Sequence, residues 1–574
     1  MPLFKSPVWR WGRFCLLAFL AIRLVFWGWT FPNPDEAYYW LWGQHPEFSY
    51  YDHPPFHAWV QGLFAGILGR FHWVLRLPNL VSNLLLAVFY YRICRYLYGR
   101  EAPDRFWLVL LLLVSSPLFF LFLGYAWHDH WLVTFAVISS FWFVRFVDGY
   151  RQTGQGQSLY LYSSALTLGL AGLCKYTAVF VGLAFLATLL GDRKLWRLGR
   201  DRRLYLALLI LALTLSPILI WNWQHDFYSF RFYADRSASD GFSINPLQPL
   251  VFLILCALIL GPIQSWSILR LLPSQIPHIL STTPKTTTPP PHHPTTSPPH
   301  HPITSPTPPT SPTHPPSHPY TLPPSPSLYP TLACWLFILS TSTFTLLSLT
   351  SVAIYYWNIL AYPLLFPLLT DQFYRLRPKE EQGNHKTPMV RRRQLVVAQG
   401  LGLFAAAVLV FHYTVVPFTA FLGGDVDPDS AALFGWQEVS EAVETIAADL
   451  DSPLLLTTDY RSASALAYAL NNPEVMAISG RIDQFDFWYD SNAMNGRNGI
   501  LVGESWHPIC PSHLAMFERT DSPVEITVRR FGVALQSYQL VKGYGFKAGP
   551  EGFPLSPDYP LAFTTDGERC LTAN

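Results

Sequence analysis

The stretch RFCLLAFLAIRLVFWGWTFPNPDE, residues 13–36, decides how the rest of the chain is read. From Arg13 to Phe31 it is apolar apart from Arg13, Arg23 and Thr30. That is long enough for the ~20 residues a helix needs to cross a bilayer core. Lys5, Arg10 and Arg13 stand in front, as basic residues do in a signal peptide. The run is too long for that, and no small-x-small cleavage site precedes Pro32–Glu36, so it reads as a retained first membrane helix. The acidic pair Asp35-Glu36 then opens the first loop on the far side of the membrane.

Composition extends this reading to the whole chain. Of 574 residues, 50% are hydrophobic, 16% aromatic and only 13% charged. Soluble domains carry about 25% charged residues. Mean hydropathy is positive, at +0.21. A net charge of +2 is too small for a protein that grips a phosphate backbone, so nucleic acid is excluded as a partner. The figures describe an integral membrane protein with some non-membrane chain attached.

Apolar segments recur near 13–31, 76–98, 106–124, 131–147, 159–174, 176–190, 204–221, 248–266, 330–350, 358–373 and 395–416. They predict a polytopic α-helical membrane protein with about 11 transmembrane helices. The segments 159–174 and 176–190 are short and parted only by Lys175. The segment 54–70, led by Pro and broken by Gly62, Gly66 and Gly69, reads as an interfacial helix. Lys and Arg collect in three loops, 92–105, 191–203 and 374–394. With the N-terminus inside, all three face the cytoplasm, as the positive-inside rule requires. Residues 423–574 then lie outside the cell's inner (plasma) membrane.

Four parts follow. Residues 1–272 form an N-terminal membrane core whose first outer loop is 32–75. In 273–330, 21 of 58 residues are Pro, mixed with Thr, Ser and His, which predicts a disordered cytoplasmic linker. Its His pairs, His292-His293 and His300-His301, read as part of a solvated spacer. Residues 331–422 hold the remaining membrane helices. In 423–574, helical periodicity over 436–450 and 461–470 alternates with short strands at 453–458, 475–478, 499–503 and 524–529, which predicts an extracytoplasmic α/β domain. Seven cysteines include no CxxC. Cys510 and Cys570 both lie in that outer region, where a disulfide can form.

With topology set, polar residues sort by face. The outer loops carry Asp35 and Glu36, then Asp52 and His53 in YYDHPPF, His128 and Asp129, Lys175, and His225, Asp226 and Arg231 in WNWQHDFYSFRF. The spans are almost free of charge, with Arg23 the clear exception. A transporter concentrates ionisable groups near the midplane. Their collection at the outer rim suits an enzyme whose substrate keeps its tail in the bilayer and its reacting head at the surface. Asp52, His53, His128 and Asp129 are suitable ligands for a divalent metal, although no HExxH-type spacing supports one. They are equally suited to hydrogen-bonding a substrate. The aromatics Tyr38, Tyr39, Trp40, Trp42, Tyr50 and Tyr51 suit sugar stacking or a head-group belt.

The string DEAYYWLWGQHPEFSYYDHPPFHAWV resembles the first outer loop of bacterial glycosyltransferase family 39-like membrane proteins, a GT-C group related to dolichyl-phosphate-mannose protein mannosyltransferases and lipid A aminoarabinose transferases. CKYTAVF, WNWQHDFYSFRF and YYWN match the same pattern in order. GWQEVSEAV and DQFDFWY resemble the group's outer domain. The likeness covers nearly all the chain except 273–330.

The resemblance implies an inverting transferase that takes a sugar from a polyprenyl-phosphate donor outside the cytoplasm, with a variable metal requirement. The acceptor would be a hydroxyl on a glycolipid, glycan or protein of the cell envelope. Inversion takes one in-line displacement, for which a single carboxylate serves as base. Asp35 matches the group's acidic position, with Glu36 beside it; the plainer role of Asp35 is a helix N-cap. Lys175, Arg231 and His225 are candidates to hold the donor phosphate, whose charge grows in the transition state. The plainer role of Lys175 is a snorkelling interface residue. Two rivals stand beside this reading: a transferase using another lipid-linked group, and an envelope-precursor transporter or scaffold without catalysis.

Overall fold

A computed structural model describes residues 7–238, 244–280, 327–374, 386–421, 426–479 and 482–548. The membrane half runs α1 (Pro7–Trp29), α2 (Pro34–Gln44), α3 (Phe56–Leu68), α4 (His72–Leu75), α5 (Leu77–Tyr98), α6 (Ala102–Val114), α7 (Pro117–Phe122), α8 (His128–Thr153), α9 (Ser158–Gly172), α10 (Val179–Gly191), α11 (Arg202–Gln224), α12 (Tyr228–Ala238), α13 (Gln248–Leu260), α14 (Pro262–Leu280), α15 (Tyr329–Leu347), α16 (Phe366–Tyr374) and α17 (Lys386–Thr414). Among the described residues, six helices are long and apolar enough to cross a membrane. A seventh crossing arises if α13 and α14, bent by 111° at their junction, form one span.

Fewer helices meet this length than the eleven expected, and the reasons are local. One of the six is the 43-residue run His72–Val114, about twice the length of a crossing. Within it α5 and α6 pack side by side across Gly99, whose φ of +56° turns the chain. Ser115, Ser116 and Pro117 cut the segment 106–124 and leave α7 as a stub. In 358–373 a 3-10 turn, Tyr355–Ala361, precedes the short α16. Proline at 363 and 367 accounts for this, since each removes a helix donor. Helices α9 and α10 are each shorter than one span. The segment 54–70 forms a helix, α3, shorter than one span. Helix takes in both edges of the Pro-rich segment, through Leu280 and again from Tyr329. Residues 281–326, with its His pairs, and most of the basic loop before α17 lie outside the described residues.

The C-terminal part contains α18 (Pro428–Ala431), α19 (Trp436–Ala447), β1 (Leu454–Thr457), α20 (Tyr460–Leu470), β2 (Val475–Ala477), β3 (Gly499–Glu504), α21 (Pro511–Leu514), β4 (Phe517–Thr520), β5 (Val524–Arg530) and β6 (Val533–Phe546). The sheet order is β2-β1-β3-β6-β4, with β5 also paired to β6. Its first three strands are parallel and the rest antiparallel. The α/β expectation holds, and both expected helices and four strands are present. Strands β4 and β6 were not anticipated. Cys510 is disulfide-bonded, while Cys15, Cys94, Cys174, Cys256 and Cys334 are free and buried. Cys570 lies outside the described residues.

Two apolar cores result. One fills the helical bundle. The other joins the loop 32–75 to the C-terminal domain: Ala37, Tyr38, Trp40 and Trp42 of α2 pack with Tyr468 and Phe485. Helix α2 lies directly on α20. A carboxylate locks this seam. Glu47 accepts from the Trp488 indole at 2.7 Å and the Trp221 indole at 2.5 Å, so one side chain ties the C-terminal domain to the end of α11.

At the top of the sheet, His507 sits between Glu504 and Asp459, with Arg461 donating towards its ring at 3.1 Å. Burial and Arg461 work to lower its pKa, but Asp459 and Glu504 outweigh them and hold it above the usual histidine value. The stabilisation is therefore full below the unfolded value of about 6.5 and lost as pH rises through the folded value. His507→Gln should flatten the fall in melting temperature between pH 6 and pH 8. An unchanged profile would remove His507 as its source.

Candidate active site

Asn33 caps α2: its side chain accepts from the Asp35 amide at 3.1 Å, and Pro34 takes the first helical position. Asp35 is therefore not the cap, and its carboxylate sits half-buried in the first turn. Glu36 completes a capping box by accepting from the Asn33 amide at 2.9 Å.

Glu36 also meets Arg76 at 2.6 and 2.9 Å, both side chains being fully buried. Its Oε1 accepts the Ala126 amide at 2.7 Å. Arg76 in turn donates to the carbonyls of Phe26 and Thr30 at 3.0 Å each, at the end of α1, where helix carbonyls lack partners. One ion pair thus fixes the ends of α1, α2 and α5 and the chain leading into α8. The acceptor positions of Glu36 are spent on this framework.

Tyr39 lies one turn beyond Asp35, so both project from one side of α2. Its ring stands 4.2 Å from His128, 5.7 Å from His57 and 6.0 Å from His53. Burial, followed by the nearby charges of Asp35 and others including Asp52, keeps its phenol protonated far above the ordinary tyrosine value. Both carboxylates therefore lie within electrostatic range of Tyr39. Asp52 accepts from the Tyr38 hydroxyl at 3.1 Å. The Tyr233 hydroxyl donates to the Asp52 carbonyl at 2.5 Å and meets His53 Nδ1 at 3.1 Å.

Asp129 occupies the first turn of α8, beside His128. Both its oxygens accept from Lys175 Nζ, at 3.0 and 3.2 Å. The pair is almost fully buried, and the ammonium stands 5.2 Å from the Tyr356 ring centre. An ammonium has three donors, so one proton remains for a further acceptor.

The structure thus brings Asp35, Asp52, His53, His128, Asp129 and Lys175 around the Tyr39 end of α2. Two predicted phosphate ligands fall elsewhere. His225 stacks on Trp221 at 4.2 Å and bonds its carbonyl at 2.9 Å. Arg231 is exposed, with its guanidinium over Tyr228 at 5.7 Å. Helix α12 reaches the cluster instead through Tyr233 and through Ser229, which bonds Tyr176 at 2.9 Å. Ser229 and Tyr233 are spaced i,i+4, which puts them on one side of α12. Among the described residues no group of three or more His, Cys, Asp or Glu is arranged to hold a metal ion. Asp129 is engaged by Lys175 and Asp52 by Tyr38.

Residues 52–221 match the family described as dolichyl-phosphate-mannose-protein mannosyltransferase, a span that holds Asp129 and Lys175 but not Asp35. A lipid A galacturonosyltransferase, RgtD of Rhizobium johnstonii, is 26% identical over 246 residues, 42% of this chain. That match spans about half of the relative, at 49% of its length. Among solved structures, apo ArnT from Cupriavidus metallidurans superposes with a TM-score of 0.58 at 15% identity, covering 93% of this chain and 98% of that one. The same protein bound to undecaprenyl phosphate gives 0.59 at 15% identity, with 92% and 98% covered. The likeness carries the fold, from the helical bundle through the C-terminal domain. In sequence the chain is thus similar, over parts of its length, to a mannosyltransferase family and to a galacturonosyltransferase, and in fold to ArnT.

Proposed function

We propose that the protein is a membrane glycosyltransferase that takes a sugar from a polyprenyl-phosphate donor and passes it to a hydroxyl of an envelope glycolipid, at the outer face of the inner membrane. The observation that carries this is the buried Asp129–Lys175 pair beside Tyr39, one helical turn from Asp35. The donor phosphate would accept a hydrogen bond from the remaining Lys175 N–H, while Asp129 keeps the ammonium charged and aimed. As the acceptor oxygen attacks the anomeric carbon, its proton passes to the Asp35 carboxylate. The carbon–oxygen bond to phosphate breaks, its electron pair stays on the phosphate, and configuration inverts. Lys175 stabilises the charge that grows there.

Outer placement is supported by the basic inner loops and by the disulfide at Cys510, a bond typical of oxidising compartments. A glycolipid acceptor is favoured by the matched relative, whose name gives lipid A as its substrate. We assign Glu36 and Arg76 to positioning rather than proton transfer, because Glu36 has its acceptors filled.

Lys175→Gln should lower turnover about 10²- to 10³-fold, the usual effect of losing one preorganised charge-stabilising group. Asp129→Asn should weaken donor use less, because the ammonium survives. Equal donor kinetics in wild type and Lys175→Gln would remove the phosphate role. The reading as a whole is tested by mass spectrometry of envelope lipids from cells with and without the protein. A lipid species heavier by one sugar only when the protein is present is expected. Identical lipid and glycan profiles would overturn it.

A further inference from the structure

Most buried charge in this protein is spent on itself. In the crevice beside Pro34, Arg461 is held by Asp459 at 3.1 Å and His507 by Glu504, so that site has little left for a ligand. Arg70 differs. It follows α3 at Gly69, whose φ of +78° reverses the chain. Its Nη1 donates to the Tyr468 carbonyl and its guanidinium lies 5.1 Å from the Tyr468 ring. Its Nε has no acceptor, and no carboxylate among the described residues pairs with it.

Arg70 lines a narrow crevice with Trp40, Gln61 and Tyr468. Trp40 is only 3% exposed, yet its indole N–H also lacks an acceptor. The neighbouring residues Ile67, Phe71 and Trp73 are 72%, 57% and 52% exposed. In a membrane protein such side chains meet lipid, and Trp belongs at head-group depth. Arg70 is thus a half-buried cation at the mouth of this crevice, among lipid-facing apolar groups. A guanidinium presents a planar fork that matches a phosphate in two parallel bonds. Trp40 lies five residues after Asp35, roughly 140° round α2. The crevice therefore opens away from the Asp35–Tyr39 side.

We propose that Arg70 binds the phosphate of a membrane lipid headgroup at the crevice mouth, at a site separate from the Asp129–Lys175 cluster. A lipid rather than a free phosphate is the occupant, because the apolar wall would be idle against an ion from solution. This goes beyond the sugar-transfer reading and does not depend on it: it rests on the reading of residues 54–70 as an interfacial helix.

The test uses the full-length protein, delipidated in detergent and titrated with phosphatidylglycerol, phosphatidylcholine or inorganic phosphate, with bound lipid counted by native mass spectrometry. The wild type should bind one phosphatidylglycerol at least fivefold more tightly than phosphatidylcholine. Arg70→Gln should lose that preference. Because Arg70 also docks Tyr468, Arg70→Lys keeps a donor and a charge there while removing the fork. It should fold and lose most of the preference. A preference unchanged in either variant overturns the proposal. Millimolar inorganic phosphate that displaces the lipid completely would also overturn it, by showing a site for the free ion. None of these outcomes bears on sugar transfer, so the two readings fail separately.

Discussion

Asp35→Asn should lower turnover by about 10²- to 10⁴-fold, the range that a positioned general base supplies. The substitution keeps size and hydrogen bonding but removes the proton acceptor. Asn33, not Asp35, caps α2, so the helix should form as before. Donor affinity should be unchanged, because the phosphate is assigned to Lys175 on a different element. A scaffold or transporter would be indifferent to this change, which is why the same variant separates the rival class. Steady-state kinetics with donor binding measured in parallel checks both halves. Wild-type turnover in Asp35→Asn would reassign the base.

The second large effect is on stability. Arg76 and Glu36 form an ion pair with no exposed surface on either side. Removing one partner of such a pair strands a charge and costs about 3–5 kcal/mol, whereas replacing both with apolar residues of similar volume costs far less. Glu36→Ala or Arg76→Ala should therefore leave little folded protein, or lower the melting temperature sharply. Glu36→Met with Arg76→Met should recover part of that loss, offset by the orphaned Ala126 amide and α1 carbonyls. If Glu36 were instead a second base, the double variant would be as stable as wild type and Glu36→Gln would be well folded but inactive. Thermal unfolding of the three variants in one detergent distinguishes these cases.

What the chain disclosed beforehand follows physical range. A helix at the start of the first loop was legible because a cap is a local signal, although the cap is Asn33 rather than Asp35 and Pro34 takes the first position. The role of Glu36 was not, because Arg76 stands forty residues away and burial decides the pairing. Asp129 and Lys175 were both singled out, but their contact joins α8 to the end of α9 and leaves no periodic trace. Arg231 drew attention as a cation, whereas Tyr233, a neutral side chain on the same helix, makes the contact. Strand β6 went unseen because it spans fourteen residues whose polar Gln536, Ser537, Gln539 and Lys542 mix with Gly543 and Gly545, blurring a period of two. Among the described residues, long continuous helices are fewer than the apolar segments because hydropathy counts apolar residues and does not see where Gly261 or Ser115-Ser116-Pro117 breaks a helix. Glu47 carries no local sign of its role: its two indole partners come from α11 and from the C-terminal domain.

The central claim is that a lipid-borne sugar changes hands in the cluster at the start of α2. It is tested most directly by reconstituting the purified full-length protein in nanodiscs with polyprenyl-phosphate sugars and a lipid A-type acceptor, then following both lipids by mass spectrometry. The account predicts that the acceptor gains one sugar while free polyprenyl phosphate appears in equal amount, and that Asp35→Asn abolishes both signals. Donor and acceptor that remain unchanged with the folded wild type, across a panel of hexosyl, uronosyl and aminopentosyl donors, would contradict it.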